Sequence, residues 1–186
     1  MSERRQYPVE FAICEFTVVV DSNEGAPFQF QDLTRKLPNG ERVPLVVRTE
    51  KKAMWSMGRS KHGAGLADYS IEGMEEQIQV ERKSLEDLFG SVTSGRANFE
   101  AEIRSLNRRC KFAAVVIEGG WSAIQAGLPG SQVSPQSVIE TIVAWQQRYP
   151  IVHWMPMPTR DMAERMTFRI LDRFWRDNHD KENGKV

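Results

Sequence analysis

Residues 66–88 read LADYSIEGMEEQIQVERKSLEDL, and this segment predicts a β-hairpin that leads into a helix. Two short runs, residues 66–71 and 77–83, flank a polar turn that contains Gly73, which is the sequence pattern of a hairpin. Because the two strands of a hairpin lie side by side, side chains from the two runs can meet on one face of a sheet. Several of these side chains are charged, so the hairpin is a candidate for chemistry as well as for structure.

The second strand of this hairpin presents two opposite charges on one face. Alternate residues of a strand share a face, so Glu81 and Lys83 point the same way, roughly 7 Å apart along the strand. Arg82 points the other way. The partner strand carries Asp68, which the hairpin can bring opposite the pair.

A further carboxylate returns to the end of the second strand. Ser84 is a predicted helix N-cap, and Asp87 follows it by three residues. The side chains that can converge on one spot are therefore Asp68, Glu81, Lys83 and Asp87. Three carboxylates repel one another unless a cation lies among them, and a hard divalent cation with oxygen ligands fits best. Beside such a metal, a lysine can offset the negative charge that grows during phosphodiester hydrolysis.

The same residues resemble a known family. Residues 80–83, VERK, followed by Asp87, resemble the Glu-Arg-Lys-x-x-x-Asp signature of the XPF family of structure-specific endonucleases. Residues 18–24, VVVDSNE, resemble the family's opening Asp-x-Arg-Glu strand, and Asp68 with Tyr69 resembles its Gly-Asp-Tyr element. The resemblance continues through Gly95-Arg96 and VVIEG at 115–119, and covers roughly residues 16–174.

The resemblance implies a restriction-endonuclease-like fold and a Mg²⁺- or Mn²⁺-dependent DNA endonuclease that cuts branched or flapped DNA. The implied metal ligands are Asp68, Glu81 and Asp87, and the implied catalytic residues are Lys83, Asp21 and Glu24. Three positions depart from the family pattern: Asn23 replaces the usual arginine, Ala67 replaces a glycine, and Glu100 lies near the position of a glutamine. None of these departures removes a carboxylate or the lysine.

Length predicts one domain over residues 1–186, with a core at about 14–177, and the resemblance implies that it is an XPF-type nuclease domain. The formal net charge is zero, so DNA binding would depend on local groups of cations. The candidate DNA-binding residues are Arg59, Lys61, Arg96, Arg104 and Arg108. Residues 50–65 form a long glycine-containing connection, which is either a basic flap over DNA or a solvated insertion. The arginines of the helix at 96–109 are either DNA contacts or an ordinary solvated helix end.

The cysteine content and the hydropathy pattern indicate a cytoplasmic protein. The chain has two cysteines, too few for a disulfide or metal framework, and Cys110 falls on the apolar stripe of a helix, which predicts a buried thiol. No apolar run approaches membrane-spanning length, and the first residues lack a signal-peptide pattern. A reducing, cytoplasmic setting is the default expectation.

The order of predicted elements is typical of a three-layer α/β fold with a mixed central sheet. A strand at 16–20 delivers Asp21 and Glu24 at its carboxyl end, where these carboxylates either join an active site or simply form a turn. The methionine stripe of the final helix is predicted to be core. The other predicted elements are a helix within 27–37, strands at 43–49, 112–117 and 151–155, helices at 96–109 and from 135 to about 148, and a loop at 121–133.

Two alternatives to a branched-DNA nuclease stay open at the level of the sequence. One is a non-catalytic scaffold of the same fold, although the acidic residues and the lysine are present. The other is a restriction-like enzyme that cuts plain duplex DNA. XPF-type nuclease domains pair, so Trp154, Met155 and Trp175 line either a homodimer face or the core of one domain.

Overall fold

A computed structural model describes residues 10–54 and 67–182, in which seven strands and five helices form. The strands are β1 (Ala12–Asp21), β2 (Thr34–Lys36), β3 (Arg42–Lys52), β4 (Tyr69–Ile71), β5 (Ile78–Ser84), β6 (Phe112–Glu118) and β7 (Val152–Met157). The helices are α1 (Leu85–Ser91), α2 (Arg96–Arg109), α3 (Trp121–Ala126), α4 (Pro135–Arg148) and α5 (Arg160–Glu182).

The strands form one mixed sheet in the order β2-β3-β1-β4-β5-β6-β7. The pairs β1–β3, β5–β6 and β6–β7 are parallel, whereas β4 runs antiparallel to both β1 and β5. Since β1 and β5 are both antiparallel to β4, they run in the same direction and end at the same edge of the sheet. This edge carries the residues after β1 and the end of β5, as an α/β site requires.

Helices cover both faces of the sheet, which confirms the predicted three-layer fold. On one face α1, α2, α3 and α4 pack a core that includes Phe99, Trp145 and Trp154, and on the other face α5 packs on β1, β4, β5 and β6. Strand β6 lies between these layers, and residues 113–117 are fully buried. The continuous apolar run of β6 therefore predicted its central position correctly.

The predicted hairpin is formed by β4 and β5, which pair antiparallel with Tyr69 opposite Val80. Gly73 turns the chain with a φ of +79°, a conformation that favours glycine. Ser84 caps α1 as predicted, because its hydroxyl accepts a hydrogen bond from the Asp87 N–H at 3.0 Å. Residue 66 lies outside the described residues, and β4 itself is only three residues long.

The predicted helix within 27–37 is wrong. Residues Thr34–Lys36 form β2, which pairs antiparallel with β3 through the turn at Gly40, so their backbone groups bond across strands. Phe30 has a φ of +55°, which is incompatible with a helical path. The apolar residues Phe28 and Phe30 are nevertheless buried, as expected, because they pack beneath α5.

Two other boundaries differ from the prediction. Strand β3 continues to Lys52, so the connection to β4 begins later than expected. Lys52 pairs with Asp21 of β1 in the parallel register, and its ammonium is 3.3 Å from Glu75 Oε1. Residues 55–66 lie outside the described residues. The predicted loop at 121–133 contains the short helix α3, which forms because Ile124 is buried against α4.

The final helix buries a different set of residues from the predicted methionine stripe. Met162 is 45% exposed, and the fully buried positions of α5 include Ala163 and Leu171. The other stripe residues, Met166, Ile170 and Phe174, are half-buried at the margin of the core, because the face of α5 that carries Phe168 and Leu171 lies against the sheet. None of the helices in the described part of the chain combines the length and apolar character needed to cross a membrane.

Trp154, which was predicted to line either a dimer face or the core of one domain, lies in the core. Trp154 is 7% exposed and stacks on Trp145 with ring centroids 6.0 Å apart, so it does not contribute a surface for pairing. Met155 and Trp175 are half-buried. Pairing of two copies of the chain stays a prediction.

Both cysteines are buried free thiols, as predicted for Cys110. Burial raises the pKa of Cys14, and burial raises the pKa of Cys110 to about 12. Thiolate is the reactive form, so we expect neither thiol of the native protein to react with a disulfide reagent at pH 8, and both to react at the rate of unfolding. Time-resolved labelling measures this, and rapid labelling of Cys110 in the native state would contradict the packing of α2.

Candidate active site

Three neighbouring strands bring acidic residues together at one edge of the sheet. The Asp21 N–H donates to the Asp68 carbonyl oxygen at 2.8 Å, which joins the end of β1 to the start of β4. Tyr69 lies opposite Val80, so the same antiparallel register places Asp68 opposite Glu81. The hairpin therefore brings Asp68 and Glu81 together, as the sequence predicted.

The Asp68 carboxylate is held in a largely buried, negatively charged position. Burial raises the pKa of Asp68 well above its ordinary value, and the charge of Glu81 raises it further. The backbone N–H of Arg82 donates to Asp68 Oδ2 at 2.8 Å, which fixes the carboxylate and opposes part of this shift. A buried carboxylate beside a second negative charge favours a cation between them.

Lys83 lies beside this pair, and its ammonium is fixed by its neighbours. Lys83 Nζ is 3.0 Å from Glu81 Oε1, and the two side chains are 14% and 15% exposed. The ammonium also lies 4.2 Å from the centroid of the Phe99 ring of α2. Burial alone would lower the pKa of Lys83, but the charge and hydrogen bond of Glu81 outweigh burial and raise it, so the side chain stays protonated at neutral pH.

One carboxylate of the site was missed from the sequence. Glu102 follows Phe99 by one helical turn, and burial and the charge of Glu81 raise the pKa of Glu102, while Lys83 opposes that shift. Glu100, the position compared with the family's glutamine, instead accepts hydrogen bonds from Arg148 and Tyr149. The spacing from Phe99, which the apolar stripe already placed inward, was the signal that could have identified Glu102.

Asp87 is not gathered with Asp68 and Glu81. It is exposed, its Oδ2 accepts a hydrogen bond from the Ser84 hydroxyl at 2.9 Å, and its role in the structure is to complete the cap of α1. Within residues 10–54 and 67–182, no three His, Cys, Asp or Glu side chains form a group that could by itself hold a metal ion. The predicted set of three protein carboxylates is therefore reduced to two here.

The two predicted catalytic carboxylates after β1 also bind protein groups. Asp21 is buried, and its Oδ1 accepts a hydrogen bond from the Met54 N–H at 2.9 Å. Glu24 Oε1 accepts a hydrogen bond from the Ala26 N–H at 2.7 Å and lies 3.3 Å from Arg82 Nη1. The segment forms a turn, since the Glu24 N–H donates to the Asp21 carbonyl oxygen at 3.1 Å. A catalytic role of Asp21 and Glu24 stays a prediction, although the charge of Glu24 helps to raise the pKa of Asp68.

Arg82 points to the opposite face of β5, as predicted, and binds Glu118 at the end of β6. Its Nε and Nη2 donate to the two carboxylate oxygens of Glu118 at 2.7 and 3.1 Å. Arg160, at the start of α5, also donates to Glu118 and lies over the Phe28 ring at 5.0 Å. This network joins β5, β6 and α5 directly behind the candidate site.

The Arg82–Glu118 pair is expected to contribute strongly to stability, because the two side chains are only 11% and 14% exposed. Arg82→Met keeps an apolar stem but leaves Glu118 buried with a single partner, so we expect the free energy of unfolding to fall by about 3 kcal/mol or more. Urea denaturation measures this loss. Arg173→Met removes an exposed pair with Asp177 and should cost less than about 1 kcal/mol. Equal effects of the two substitutions would contradict the proposed contribution.

The predicted DNA-binding cations fall into three groups. Arg96 is held by α4, because its Nη1 donates to Thr141 Oγ1 at 2.9 Å and its guanidinium lies 5.1 Å from the Trp145 ring centroid. Arg104 and Arg108 are exposed on α2. Arg59 and Lys61 lie outside the described residues. Of the five, the three that the structure describes, Arg96, Arg104 and Arg108, are all exposed, and Arg96 in addition contacts α4.

A family model described as the ERCC4 domain matches residues 31–169. The chain belongs to the ERCC4 domain family. This family comprises DNA structure-specific endonucleases, which confirms the resemblance found in the sequence. The matched region contains Asp68, Glu81 and Lys83, whereas Asp21 and Glu24 precede it.

Solved structures with the same fold come from an archaeal relative. XPF from Aeropyrum pernix is 18% identical, with a TM-score of 0.56, and the match covers 90% of this chain and 69% of that chain. A structure of XPF from Aeropyrum pernix in complex with DNA is 17% identical, with a TM-score of 0.56 and coverages of 87% and 66%. At these identities the likeness shows that this ERCC4 domain shares the fold. No curated protein sequence matches the chain significantly.

Proposed function

We propose that this ERCC4 domain is a divalent-metal-dependent endonuclease that hydrolyses phosphodiester bonds in branched or flapped DNA. The observation that carries the proposal is the pairing of Asp68 with Glu81, with the Lys83 ammonium 3.0 Å from Glu81 Oε1. Two adjoining carboxylates and one fixed cation are the groups that metal-assisted phosphodiester hydrolysis uses. Family membership supports the choice of DNA as substrate.

The residues present fit a Mg²⁺ or Mn²⁺ ion. Both Asp68 and Glu81 offer hard oxygen donors. Burial, and then the charge of Glu81, raise the pKa of Asp68, and a divalent cation would favour the charged carboxylate against both effects. Magnesium commonly uses only one or two protein carboxylates and completes its coordination with water and substrate phosphate. Asp68 and Glu81 would therefore hold the ion without a third carboxylate.

When bound, the metal would polarise the scissile phosphate and lower the pKa of a bound water. The protein supplies the rest of the arrangement. Glu81 fixes the Lys83 ammonium, and the Phe99 ring covers it on the side of α2. Because the ammonium is held in place before substrate binds, Lys83 can stabilise negative charge on the reacting phosphate with little reorganisation. Glu102 adds a negative charge that helps to keep Lys83 protonated.

DNA would approach the edge of the sheet where β1 and β5 end. The exposed Arg96 and Arg104 on α2, the helix that carries Phe99, can neutralise backbone phosphates. Sequence-independent contacts of this kind position a duplex without reading its bases. Preference for a branch or a flap would then depend on how two DNA arms fit around the site.

Cleavage of defined DNA substrates tests the proposal. The chain is incubated with end-labelled flap, fork, single-stranded and plain duplex DNA of one sequence, with Mg²⁺, with Mn²⁺ or with EDTA. We expect cutting near the branch of flap and fork DNA, 5′-phosphate ends, and no product in EDTA. Binding without cleavage under every metal condition would instead indicate a scaffold, and equal cleavage of plain duplex would exclude a preference for branches.

A further inference from the structure

A cavity outside the candidate active site is lined by an excess of positive charge. It has a volume of about 310 Å³ and lies between β2, β3 and α5, which we call the basic cavity. One carboxylate, that of Asp172, is present in its wall among the described residues. Its cationic side chains are Arg35, Lys36, Arg42, Arg165, Arg169 and Arg176.

Part of this charge is used to attach the β2–β3 hairpin to α5. Arg35 Nη2 lies 2.8 Å from Asp172 Oδ1, and Arg176 Nη2 lies 2.9 Å from Asp172 Oδ2, so one carboxylate serves two guanidinium groups. Arg35 also lies 3.9 Å from Glu15. These contacts give Arg35 and Arg176 a structural role and fix the shape of the wall.

The other cations of the wall are not fully balanced in this way. Arg165 pairs with Asp161 at 2.9 Å, but Arg42 donates to the neutral Thr34 hydroxyl at 3.3 Å. Within the described ranges, neither Lys36 nor Arg169 has a carboxylate within ion-pair distance. Three carboxylates, those of Glu15, Asp161 and Asp172, therefore pair with three of the six cations, which are Arg35, Arg165 and Arg176.

This excess is a local property, because the whole chain has a formal net charge of zero. A concave surface lined by charge of one sign concentrates its field and attracts counter-ions. A fold-stabilising role explains the paired arginines, but it does not explain why Lys36, Arg42 and Arg169 are gathered around the same space. An anionic ligand would account for all of them.

We propose that the basic cavity binds phosphate groups. Its volume is at the lower end of the roughly 300–1,000 Å³ typical of ligand pockets. A second concavity of about 350 Å³ shares Arg35, Lys36 and Arg176 and continues along α5 towards Trp175, so the surface is an elongated groove. This second part also carries the carboxylates of Glu15 and Asp180, so the excess of positive charge is confined to the basic cavity. Guanidinium groups suit phosphate oxygens because their donors match them in pairs. The elongated shape fits consecutive phosphates of a nucleic-acid strand, and free pyrophosphate has the same chemistry.

The basic cavity is separate from the candidate active site. Lys83 contacts Phe99 on the face covered by α2, whereas the basic cavity lies on the face covered by α5. DNA bound in the cavity would therefore be a second contact, made at the β2 edge of the sheet. Only the choice of DNA as the source of phosphate rests on the proposed function, since pyrophosphate binding requires no cleavage.

Binding measurements in EDTA, which removes any contribution from metal, test the proposal with the full chain. Inorganic pyrophosphate is titrated by calorimetry, and a short labelled duplex is titrated by fluorescence anisotropy at several salt concentrations. The variant is Lys36→Ala with Arg169→Ala, which leaves the Asp172 pairs intact. The control is Arg173→Ala, an exposed arginine of α5 outside the basic cavity. Circular dichroism confirms that the variants are folded.

We expect pyrophosphate to bind the wild-type chain, with a Kd at least about tenfold higher in the double variant and nearly unchanged in the control. If DNA is the source of the phosphate, the slope of log binding constant against log salt concentration for the duplex is smaller by about two in the double variant. An unchanged salt dependence with lost pyrophosphate binding would assign the site to free phosphates. Absence of pyrophosphate binding, or equal binding by wild type and double variant, would overturn the proposal whether or not the chain cleaves DNA.

Discussion

Lys83→Met is expected to reduce metal-dependent DNA cleavage by at least about 10²-fold, the loss seen when one preorganised charge-stabilising group is removed. Methionine keeps an apolar stem against Phe99 but removes the ammonium that lies 3.0 Å from Glu81 Oε1. The reacting phosphate then loses the fixed positive charge that would offset its growing negative charge. Single-turnover cleavage of a labelled flap measures the effect, because it reports the chemical step separately from product release.

A matched substitution separates this effect from a general loss of charge. Lys111→Met removes an exposed lysine at the opposite end of β6, where its ammonium is 2.9 Å from Gln77 Oε1. We expect cleavage within about twofold of wild type, because surface charges remote from the site contribute little. Thermal unfolding of both variants is recorded alongside. Retention of more than a tenth of wild-type activity by folded Lys83→Met would remove Lys83 from the proposed mechanism.

Asp68→Asn is expected to abolish cleavage while stabilising the metal-free protein. The neutral amide can still accept the hydrogen bond of the Arg82 N–H, but it removes one of two mutually repelling acidic groups. The same change removes a metal ligand. Mg²⁺ at a hundred times its Kd should stabilise the wild type by about 2.7 kcal/mol and should stabilise Asp68→Asn much less. Urea denaturation with and without Mg²⁺ measures both differences.

The stability that the metal-free protein gains from Asp68→Asn is expected to depend on pH in one direction. Asp68 has a pKa in the folded protein well above the ordinary value of 3.8, so the folded state holds more protons than the unfolded state above about pH 4. The contribution of Asp68 to the free energy of unfolding of the metal-free wild type therefore falls as pH rises through this window. The advantage of Asp68→Asn should be absent below about pH 4 and should grow towards neutral pH. An advantage that is constant with pH would show that Asp68 is not held in an unfavourable charged state.

Local sequence patterns predicted the elements whose formation depends on neighbouring residues. The alternating hairpin, the apolar stripe of α2, the capping serine before α1 and the continuous apolar run of β6 all took their predicted form. Each pattern is set by helix or strand periodicity or by a cap, so it can be recognised without knowing the partner element. The positions of Asp68 and Glu81 opposite each other could also be predicted locally, because a short turn fixes the register of a hairpin.

The errors came from contacts between residues far apart in the chain. Residues 34–36 became a strand because β3 supplied hydrogen-bond partners, and the contacts of Arg96 with Thr141 and Trp145 of α4 were likewise not visible in the local sequence. Asp87 was predicted both to complete the cap of α1 and to bind metal; it forms the cap, and its role as a metal ligand stays a prediction. Glu102 rather than Glu100 faced Lys83 because the exact rotation of α2 is set by packing on the sheet.

The location of a bound metal ion tests the central claim most directly. Crystals of the chain are soaked in Mn²⁺, and anomalous diffraction is collected at an energy where manganese scatters strongly. The account predicts an anomalous peak within coordinating distance of carboxylate oxygens of both Asp68 and Glu81, at the end of β5 beside Lys83, and its loss in Asp68→Asn. An anomalous peak bound elsewhere, or no peak at this pair under conditions that support Mn²⁺-dependent cleavage, would contradict it.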